Sequence, residues 1–519
     1  MALRSPLKSV IGPLRRVLLF CAAALLFGVA HNQDAIYHSP ENQNTKYLHG
    51  LAQAGYGFLN GDWTANTLNP LPAFTALVRG TAQFLHPEYP FYLYYFIVFG
   101  LYVFSLAGIV GWRYPRVMRH LLPFFALLLL VHCLDIDIGD LELGWHLQAG
   151  VAQQYILGPV FQPANFGVFL LVSIWLFLQH VARGGSGWWL GSVACLAVAV
   201  SFHPAYLPSV AALTLAYMVV LALRQQWRLA IALGAVSGLL TLPVLLYMLI
   251  TFSDTSPELA QQATAYIVNE RIPHHSLPAE WIDSSVYLQV LLVSLGIYLC
   301  RQRALAIILG VPLAVALLGT AAQIITGSDF IAFVAPWRIS VFLVPVATSL
   351  ALGALVDRLP EGDRRQRFAR RASAALVAVL VVMGAMSQVS EWTKTDETDG
   401  VVAHVRQTAQ AGQVYLLPPN DKPLRRFRLA TGAPIYINRK SHPYKDVEVI
   451  EWSDRLQRAK RFYRVKLPRQ QCRQLRRLRE AGITHVVFPA DRQALCLQLQ
   501  PRYQDEHYSL YEWVRPNRA

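Results

Sequence analysis

Acidic residues that could act on a hydroxyl group or hold a cation lie directly after long apolar runs. Asp34 and Glu41 follow the first run, and Asp137 and Asp140 follow the third. A carboxylate at a membrane surface can take a proton from a hydroxyl, or bind a divalent cation beside a phosphate. We expect Asp34, Asp137 and Asp140 to be catalytic, and Glu41 to contact the substrate. The alternative is that they are solvated loop acids, and the sequence does not identify a metal.

Besides Glu41, five polar or charged side chains are candidates for substrate binding. They are His146, His203, Arg338, Lys440 and His442. Arg338 stands inside an apolar run, where a guanidinium costs about 3 kcal/mol unless it meets an anion, so we expect a phosphate partner. Lys440 and His442 belong to a basic and aromatic stretch that suits a lipid headgroup or a pyrophosphate. The alternatives are that Arg338 snorkels or pairs with Asp329, that His203 belongs to an interfacial turn, and that the basic stretch is a solvated surface.

The elements that must position these residues are apolar runs of membrane-spanning length. Of 519 residues, 54% are hydrophobic and 15% are charged, against about 25% charged residues in soluble domains. This composition excludes an ordinary soluble protein and a disordered one. A membrane span needs about 20 residues. Eleven runs qualify, centred on 15–31, 91–112, 120–134, 163–180, 188–204, 206–223, 228–251, 285–300, 304–326, 331–356 and 372–389. The first is interpreted as an uncleaved anchor, although a signal peptide fits the same residues.

The distribution of Lys and Arg predicts the orientation. With a cytoplasmic N-terminus, the inside segments hold eighteen of these residues, and the outside loops hold only Lys46, Arg79 and Arg271. Cytoplasmic loops are enriched in such cations. The count of spans and this bias support each other. They place three long loops outside, together with the tail that follows residue 389; the loops are 32–90, 135–162 and 252–284. Segments 45–59 and 72–84 are expected to form helices on the membrane surface.

The tail differs in composition from the rest of the chain. Residues 390–519 contain 24 Lys and Arg against 14 Asp and Glu. Alternating and helical patterns predict a small α/β domain. The expected strands are 414–417, 433–438, 484–488 and 508–514, and the expected helices are 400–411, 447–463 and 468–481. The fold prediction is therefore a polytopic α-helical membrane domain, 1–389, of about eleven transmembrane helices, followed by an extracytoplasmic α/β domain, 390–519. Cys472 and Cys496 could pair if the tail is exported.

Motifs of soluble enzymes are missing from the sequence. It contains no zinc-ligand spacing, P-loop, dinucleotide fingerprint or Gly-x-Ser-x-Gly elbow. The basic tail would ordinarily indicate nucleic-acid binding, but its predicted position outside the cytoplasm argues against that partner. We expect membrane lipids as partners, and no nucleic acid.

Many spans, acids in the first outer loop and an outer α/β tail together resemble the GT-C superfamily of membrane glycosyltransferases, which use polyprenyl-phosphate sugars. The resemblance implies a catalytic acid in the first outer loop, here Asp34, with Glu41 as a second. The usual adjacent acidic pair is missing. Four strings are similar to an uncharacterised bacterial multi-pass family, common in cyanobacteria and relatives: Asn42–Gly50, Leu59–Trp63, His203–Tyr206 and Thr431–Tyr444, the last followed by Glu451-Trp452.

Together these features predict a GT-C-like transferase in the bacterial inner membrane, with its N-terminus in the cytoplasm and its tail in the periplasm. It would move a sugar from a polyprenyl-phosphate donor to an extracytoplasmic acceptor. The alternative is a non-enzymatic transporter or envelope assembly factor with a docking tail. The absence of clear inverted halves in the sequence favours the transferase.

Overall fold

The computed structural model describes residues 6–31, 34–38, 42–139, 141–300 and 302–514. They form two compact units that interleave along the chain. The membrane unit comprises the described residues of Met1–Gln33, Phe91–Leu246 and Ile272–Ser390, and the polar unit those of Asp34–Pro90, Tyr247–Arg271 and Glu391–Ala519. The polar unit therefore adds two segments of the expected outer loops to the tail.

The membrane unit is mainly helical, and each predicted apolar run is found in one or two helices. Seven described segments are long and apolar enough to cross a membrane, and three shorter apolar helices accompany them. The chain is thus a polytopic α-helical membrane protein, as predicted. The main helices are Pro6–Ala30, Tyr89–Arg113, Leu121–Cys133, Val168–Arg183, Ser186–Phe202, Leu207–Leu223, Trp227–Thr251, Ser284–Leu299, Arg303–Thr326, Ser340–Asp357 and Asp363–Thr393.

Short elements connect these helices. They are the helices Leu143–Gln148, Pro273–Ser276, Pro278–Trp281 and Asp329–Val334, the 3-10 turns Pro115–Arg119, Pro163–Gly167, Pro204–Tyr206 and Pro336–Ile339, and a hairpin of strands β1 (Asp137–Ile138) and β2 (Leu141–Glu142).

One helix shows why a membrane is needed. Trp227–Thr251 has no charged residue after Arg228 and is mostly apolar, yet Leu239 is 67% and Ile250 is 73% exposed. In water such a surface would be an aggregation site, whereas lipid chains cover it without cost.

The predicted run 331–356 is not one continuous helix. It divides into Asp329–Val334, the 3-10 turn Pro336–Ile339 and the helix Ser340–Asp357. The break lies at Ala335, whose φ is 53°. A proline disfavours the α conformation of the residue before it, so Pro336 accounts for the interruption. Arg338 lies within the 3-10 turn.

In the polar unit, the described residues of segment 32–90, which we call the first outer loop after its predicted location, fold into short helices. They are Gln43–Lys46, Leu48–Gln53 and Pro72–Phe84, with 3-10 turns at Leu59–Gly61 and Thr64–Asn66. The bounds of Pro72–Phe84 match the prediction. The expected continuous helix 45–59 is wrong, because Gly55 and Gly57 have positive φ angles of 78° and 55°, which end the helix.

The segment 247–271 of the polar unit contains the helix Pro257–Ala265, which continues as a π-helical turn, Tyr266–Arg271. This helix packs against Asp446–Arg464 of the tail.

The tail contains a four-stranded mixed sheet. Its strands are β3 (Tyr415–Leu416), β4 (His485–Pro489), β5 (Leu499–Gln504) and β6 (Tyr508–Trp513), in the order β3-β4-β6-β5. Only β3 and β4 are parallel. The helices are Asp399–Thr408, Phe427–Thr431, Asp446–Arg464 and Pro468–Glu480, with a 3-10 turn at Pro423–Arg426. One core joins Trp452, Phe462 and Leu475 to the β4 residues Val486 and Phe488. The α/β prediction is confirmed.

One strand prediction in the tail is wrong, and one strand was not predicted. Residues 433–438 make one isolated bridge, between Tyr415 and Ile435, and form no regular strand. Pro434 has no N–H to donate to a ladder. Strand β5 was missed because it contains Pro501 and is exposed over most of its length.

Candidate functional site

The predicted catalytic acids fall in different parts of the chain. Asp34 is partly buried and belongs to the polar unit. Asp137 is exposed in β1, where it pairs in register with Glu142. Glu41 and Asp140 lie outside the described residues. Within the residues that are described, no three His, Cys, Asp or Glu side chains are grouped as metal ligands would be. The catalytic assignments stay predictions.

Three of the predicted binding residues lie in the membrane unit. The His203 ring lies 5.0 Å from that of Tyr206, centre to centre. The turn that contains Tyr206 packs against the turn that contains Arg338, so the fold places the neighbourhoods of His203 and Arg338 side by side. His146 lies in another short helix, and its carbonyl oxygen accepts a hydrogen bond from Gln289 Nε2 at 3.3 Å. Burial lowers the pKa of His146.

Lys440 and His442, in contrast, lie in the polar unit beside two cations that the sequence had not marked as binding residues. We call Lys46, Arg271, Lys440 and His442 the cationic cluster. Arg271 donates from Nη2 to the Lys440 carbonyl oxygen at 2.7 Å. Burial, and then the positive charges of Arg271, Lys46 and Lys440, hold the pKa of His442 well below its ordinary value. His442 is therefore neutral at pH 7 while its neighbours are charged.

Aromatic rings border the cluster. The His442 ring lies 4.9 Å from the ring of Tyr444 and 6.0 Å from that of Trp452. Lys46 Nζ lies 5.9 Å from the centre of the Tyr444 ring. Such an ammonium group keeps a favourable cation–π contact and still has three protons to donate.

Two buried polar atoms of the cluster make no hydrogen bond within the described part of the chain. They are Nε of Arg271 and Nδ1 of His442. Buried polar atoms are nearly always paired, and each exception calls for an explanation. An Arg Nε–H donor among further positive charges is well suited to an anionic oxygen.

A fully buried ion pair holds the first outer loop against the tail beneath this cluster. Arg428 Nη1 lies 3.2 Å from Asp62 Oδ1, and both side chains have zero exposure. Asp62 also accepts from the backbone N–H of Ile435 at 3.0 Å. Arg428 Nη2 donates to Ser441 Oγ at 2.5 Å, and Ser441 Oγ lies 2.9 Å from Thr45 Oγ1. Thr45 and Ser441, which precede Lys46 and His442 in the sequence, are therefore joined by a hydrogen bond.

Residues 253–271, which also belong to the polar unit, hold the other side of the 439–446 loop. Thr255 donates to the Asp446 carboxylate through its hydroxyl at 2.8 Å, and Lys445 donates to the Ser253 carbonyl oxygen. Arg439 donates to the Glu270 carbonyl oxygen at 3.0 Å. The π-helical turn that ends at Arg271 completes this side; such turns are frequent at functional sites.

A small cavity adjoins the cluster. Lys46, His49, His442 and Tyr444 contribute to its lining, and its volume is about 20 Å³. This is room for roughly one water molecule. An anion as large as a phosphate group would therefore bind at the mouth of the cavity and not within it.

The sequence did contain a signal for the two missed residues. Only Lys46, Arg79 and Arg271 are basic in the predicted outer loops before the tail, and two of these three belong to the cluster. Basic residues are rare in these loops, which are otherwise acidic, and this rarity could have identified Lys46 and Arg271 as candidates.

A family described as a domain of unknown function, DUF6798, matches residues 396–459. This range contains the string Thr431–Tyr444, so the expected similarity to an uncharacterised family is confirmed there. No curated protein matches the chain.

Among solved structures, the chain aligns with ArnT from Cupriavidus metallidurans. The structure of ArnT bound to undecaprenyl phosphate aligns at 12% identity with a TM-score of 0.46, covering 96% of this chain and 97% of that one. The apo structure aligns at 11% identity with a TM-score of 0.43 and the same coverage. Both alignments extend over nearly the whole of this chain and of ArnT. Similarity at this level transfers no residue role and no substrate.

Proposed function

We propose that the protein is a GT-C-like membrane glycosyltransferase. It transfers a sugar from a polyprenyl-phosphate donor to an acceptor outside the cytoplasm. It resides in a bacterial inner membrane, with its N-terminus in the cytoplasm and the polar unit in the periplasm.

The observation that carries this proposal is the cationic cluster. A donor of this class carries a phosphate, and the cluster offers three cations, Lys46, Arg271 and Lys440, beside a small cavity at whose mouth a phosphate could bind. The buried pair of Asp62 and Arg428 fixes the surrounding loops. Preorganised donors of this kind act strongly on an anion, because they need little rearrangement when it binds.

In the proposed reaction, the acceptor hydroxyl oxygen attacks the anomeric carbon of the donor sugar. The bond from that carbon to the phosphate oxygen breaks, and the polyprenyl phosphate leaves with the electron pair. Asp34 takes the hydroxyl proton as general base. Asp137 and Asp140 support this step.

The remaining predicted residues hold the substrates. Arg338 is assigned to a phosphate oxygen, because a guanidinium matches that geometry. Glu41, His146 and His203 are assigned to polar groups of the sugar or the acceptor.

A binding experiment tests the role of the cluster. Purified protein is titrated with undecaprenyl phosphate, and bound lipid is counted by native mass spectrometry. We expect Arg271→Gln or Lys46→Gln to weaken binding about 10-fold or more, as for the loss of one charged hydrogen bond. Arg79→Gln is the matched control, because Arg79 is the remaining outer-loop cation and is exposed. Equal binding by all variants would remove the support for a phosphate donor.

An activity experiment tests the role of Asp34. In cells that lack the protein, extracted lipids should contain an accumulated polyprenyl-phosphate sugar. The native gene should clear it, and Asp34→Asn should not. Asp254→Asn, a change at an exposed acid of another loop, should clear it as the native gene does. Full complementation by Asp34→Asn would show the catalytic assignment to be wrong.

One observation favours the transporter alternative. The interrupted helix around Ala335 and Pro336 is a feature of transporters, whose broken helices form substrate sites. A transporter would leave the donor chemically unchanged and alter only its sidedness. Lipid that accumulates on one membrane face, without any change in sugar transfer in vitro, would favour this function.

A further inference from the structure

A dense array of cations lies at the junction of the tail helices Asp446–Arg464 and Pro468–Glu480, outside the cationic cluster. Between residues 461 and 479 the sequence contains no Asp or Glu. Seven exposed cations lie here and form no ion pair among the described residues: Arg461, Arg464, Lys466, Arg469, Arg473, Arg476 and Arg477. We call this set the basic face. Unneutralised charges of one sign this close together repel each other, so an anionic partner would relieve the repulsion.

The helix Pro468–Glu480 is amphipathic, so its exposed cations lie on the side away from the core. Gln471, Leu475 and Leu478 are buried against the core. Arg469, Arg473 and Arg476 follow one another at spacings of four and three residues, so they lie along one side of the helix. That side is exposed. The charges therefore form a row on a rigid element.

Two exposed leucines accompany the cations. Leu467 is 55% and Leu497 is 97% exposed. The Cys472–Cys496 disulfide, and the Gln471 side chain that accepts hydrogen bonds from the Leu495 and Cys496 backbone, hold the 495–497 segment beside the first turns of the helix. Both leucines thus lie near its N-terminal end.

A groove of about 430 Å³ lies at the same end. Arg461, Arg464 and Lys466 line it together with Val465 and Leu467. The combination of cationic and apolar side chains in this groove matches a phospholipid, which has an anionic headgroup above an apolar chain.

We propose that the basic face docks on an anionic phospholipid bilayer. The arginines and Lys466 contact the phosphates, and Leu467 and Leu497 enter the apolar boundary. A soluble polyanion such as an acidic glycan would account for the cations, but it would give no role to two exposed leucines. The bilayer is therefore the occupant that the surface favours.

The test uses the full chain in nanodiscs of phosphatidylcholine, mixed with vesicles and separated by flotation. We expect binding to vesicles with about 30 mol% phosphatidylglycerol, little binding to pure phosphatidylcholine vesicles, and loss of binding near 0.5 M NaCl, where charges are screened. The triple variant R473Q/R476Q/R477Q should bind on the order of 100-fold more weakly.

The matched control is K394Q/K422Q/R502Q, which removes the same charge from exposed positions elsewhere in the tail. It should bind as the native protein does. The double variant L467S/L497S keeps every charge and should also bind more weakly. Native-like binding by this variant, together with equally tight binding of soluble dextran sulfate, would show a polyanion site and overturn the proposal. Equal flotation with neutral and anionic vesicles would overturn it as well.

Discussion

Arg428 and Asp62 are separated by 366 residues in the chain, yet their side chains lie 3.2 Å apart and have no exposure to solvent. Asp62 also accepts hydrogen bonds from the backbone N–H groups of Thr64 at 2.9 Å and Ile435 at 3.0 Å. One carboxylate therefore organises the first outer loop and the tail together.

The first prediction concerns this pair. Asp62→Asn leaves the buried guanidinium of Arg428 without a counter-charge, which costs about 3–5 kcal/mol. We expect a lower unfolding temperature of the polar unit and faster proteolysis of the tail in purified protein. Arg502→Gln removes an exposed pair with Glu512 and should cost under about 1 kcal/mol. Similar effects of the two changes would contradict a special role for the buried pair.

A second prediction compares two glycines of the first outer loop. A Cβ at Gly57 would lie 2.5 Å from the Gly432 carbonyl oxygen, whereas one at Gly55 would meet nothing within 4 Å. Both have positive φ angles, so Gly→Ala adds backbone strain at either position. Gly57→Ala should cost about 1–3 kcal/mol more than Gly55→Ala, because the backbones must also separate. Thermal unfolding measures the difference, and equal costs would refute the close approach.

The third prediction concerns pH. Burial lowers the pKa of His49 from 6.5 to about 4. The unfolded chain therefore binds a proton at a pH where the folded one does not. Stability should fall as the pH drops from about 6.5 to about 4, by up to roughly 3 kcal/mol from this group. His49→Gln should flatten the slope, measured by unfolding temperature at each pH. His507→Gln, at an exposed position, should retain it; an unchanged slope in His49→Gln would contradict the assignment.

The fourth prediction concerns the cysteines. Cys472 and Cys496 form a disulfide, and Cys21, Cys133, Cys195 and Cys300 are free. Denatured protein purified without reductant should therefore react with four equivalents of a thiol reagent, and with six after reduction. Reduction should destabilise the tail by about 2–4 kcal/mol. Six reactive thiols before reduction would argue against an oxidising location of the tail, since disulfides persist in such compartments.

The sequence was sufficient for elements whose signal is local. The membrane helices follow from composition, and Asp446–Arg464 was predicted to within one residue at each end. The helix Pro468–Glu480 begins where it was predicted, and its C-terminus was predicted one residue late. Prediction failed where single residues override a pattern: Pro336 interrupts a helix, Gly55 and Gly57 end one, and Pro501 conceals a strand.

The candidate site could be predicted only in part. Lys440 and His442 stood out because basic and aromatic residues alternate around them. Lys46 and Arg271 come from two other segments, and no local pattern shows that folding brings these two cations together with Lys440 and His442. Asp62 and Arg428 look like ordinary polar residues in the sequence, since their burial depends on contacts between segments that are far apart in the chain.

The interleaving of the polar unit has a consequence for biosynthesis. At roughly 5–20 residues per second, the ribosome needs on the order of 20–70 seconds to reach Arg428 after it has made Asp62. During that interval the first outer loop has emerged without its counter-ion, and every later helix must be inserted before the partner arrives. Nascent chains that stop before Arg428 would therefore contain an incomplete polar unit. Quality-control proteases could recognise such chains and degrade them.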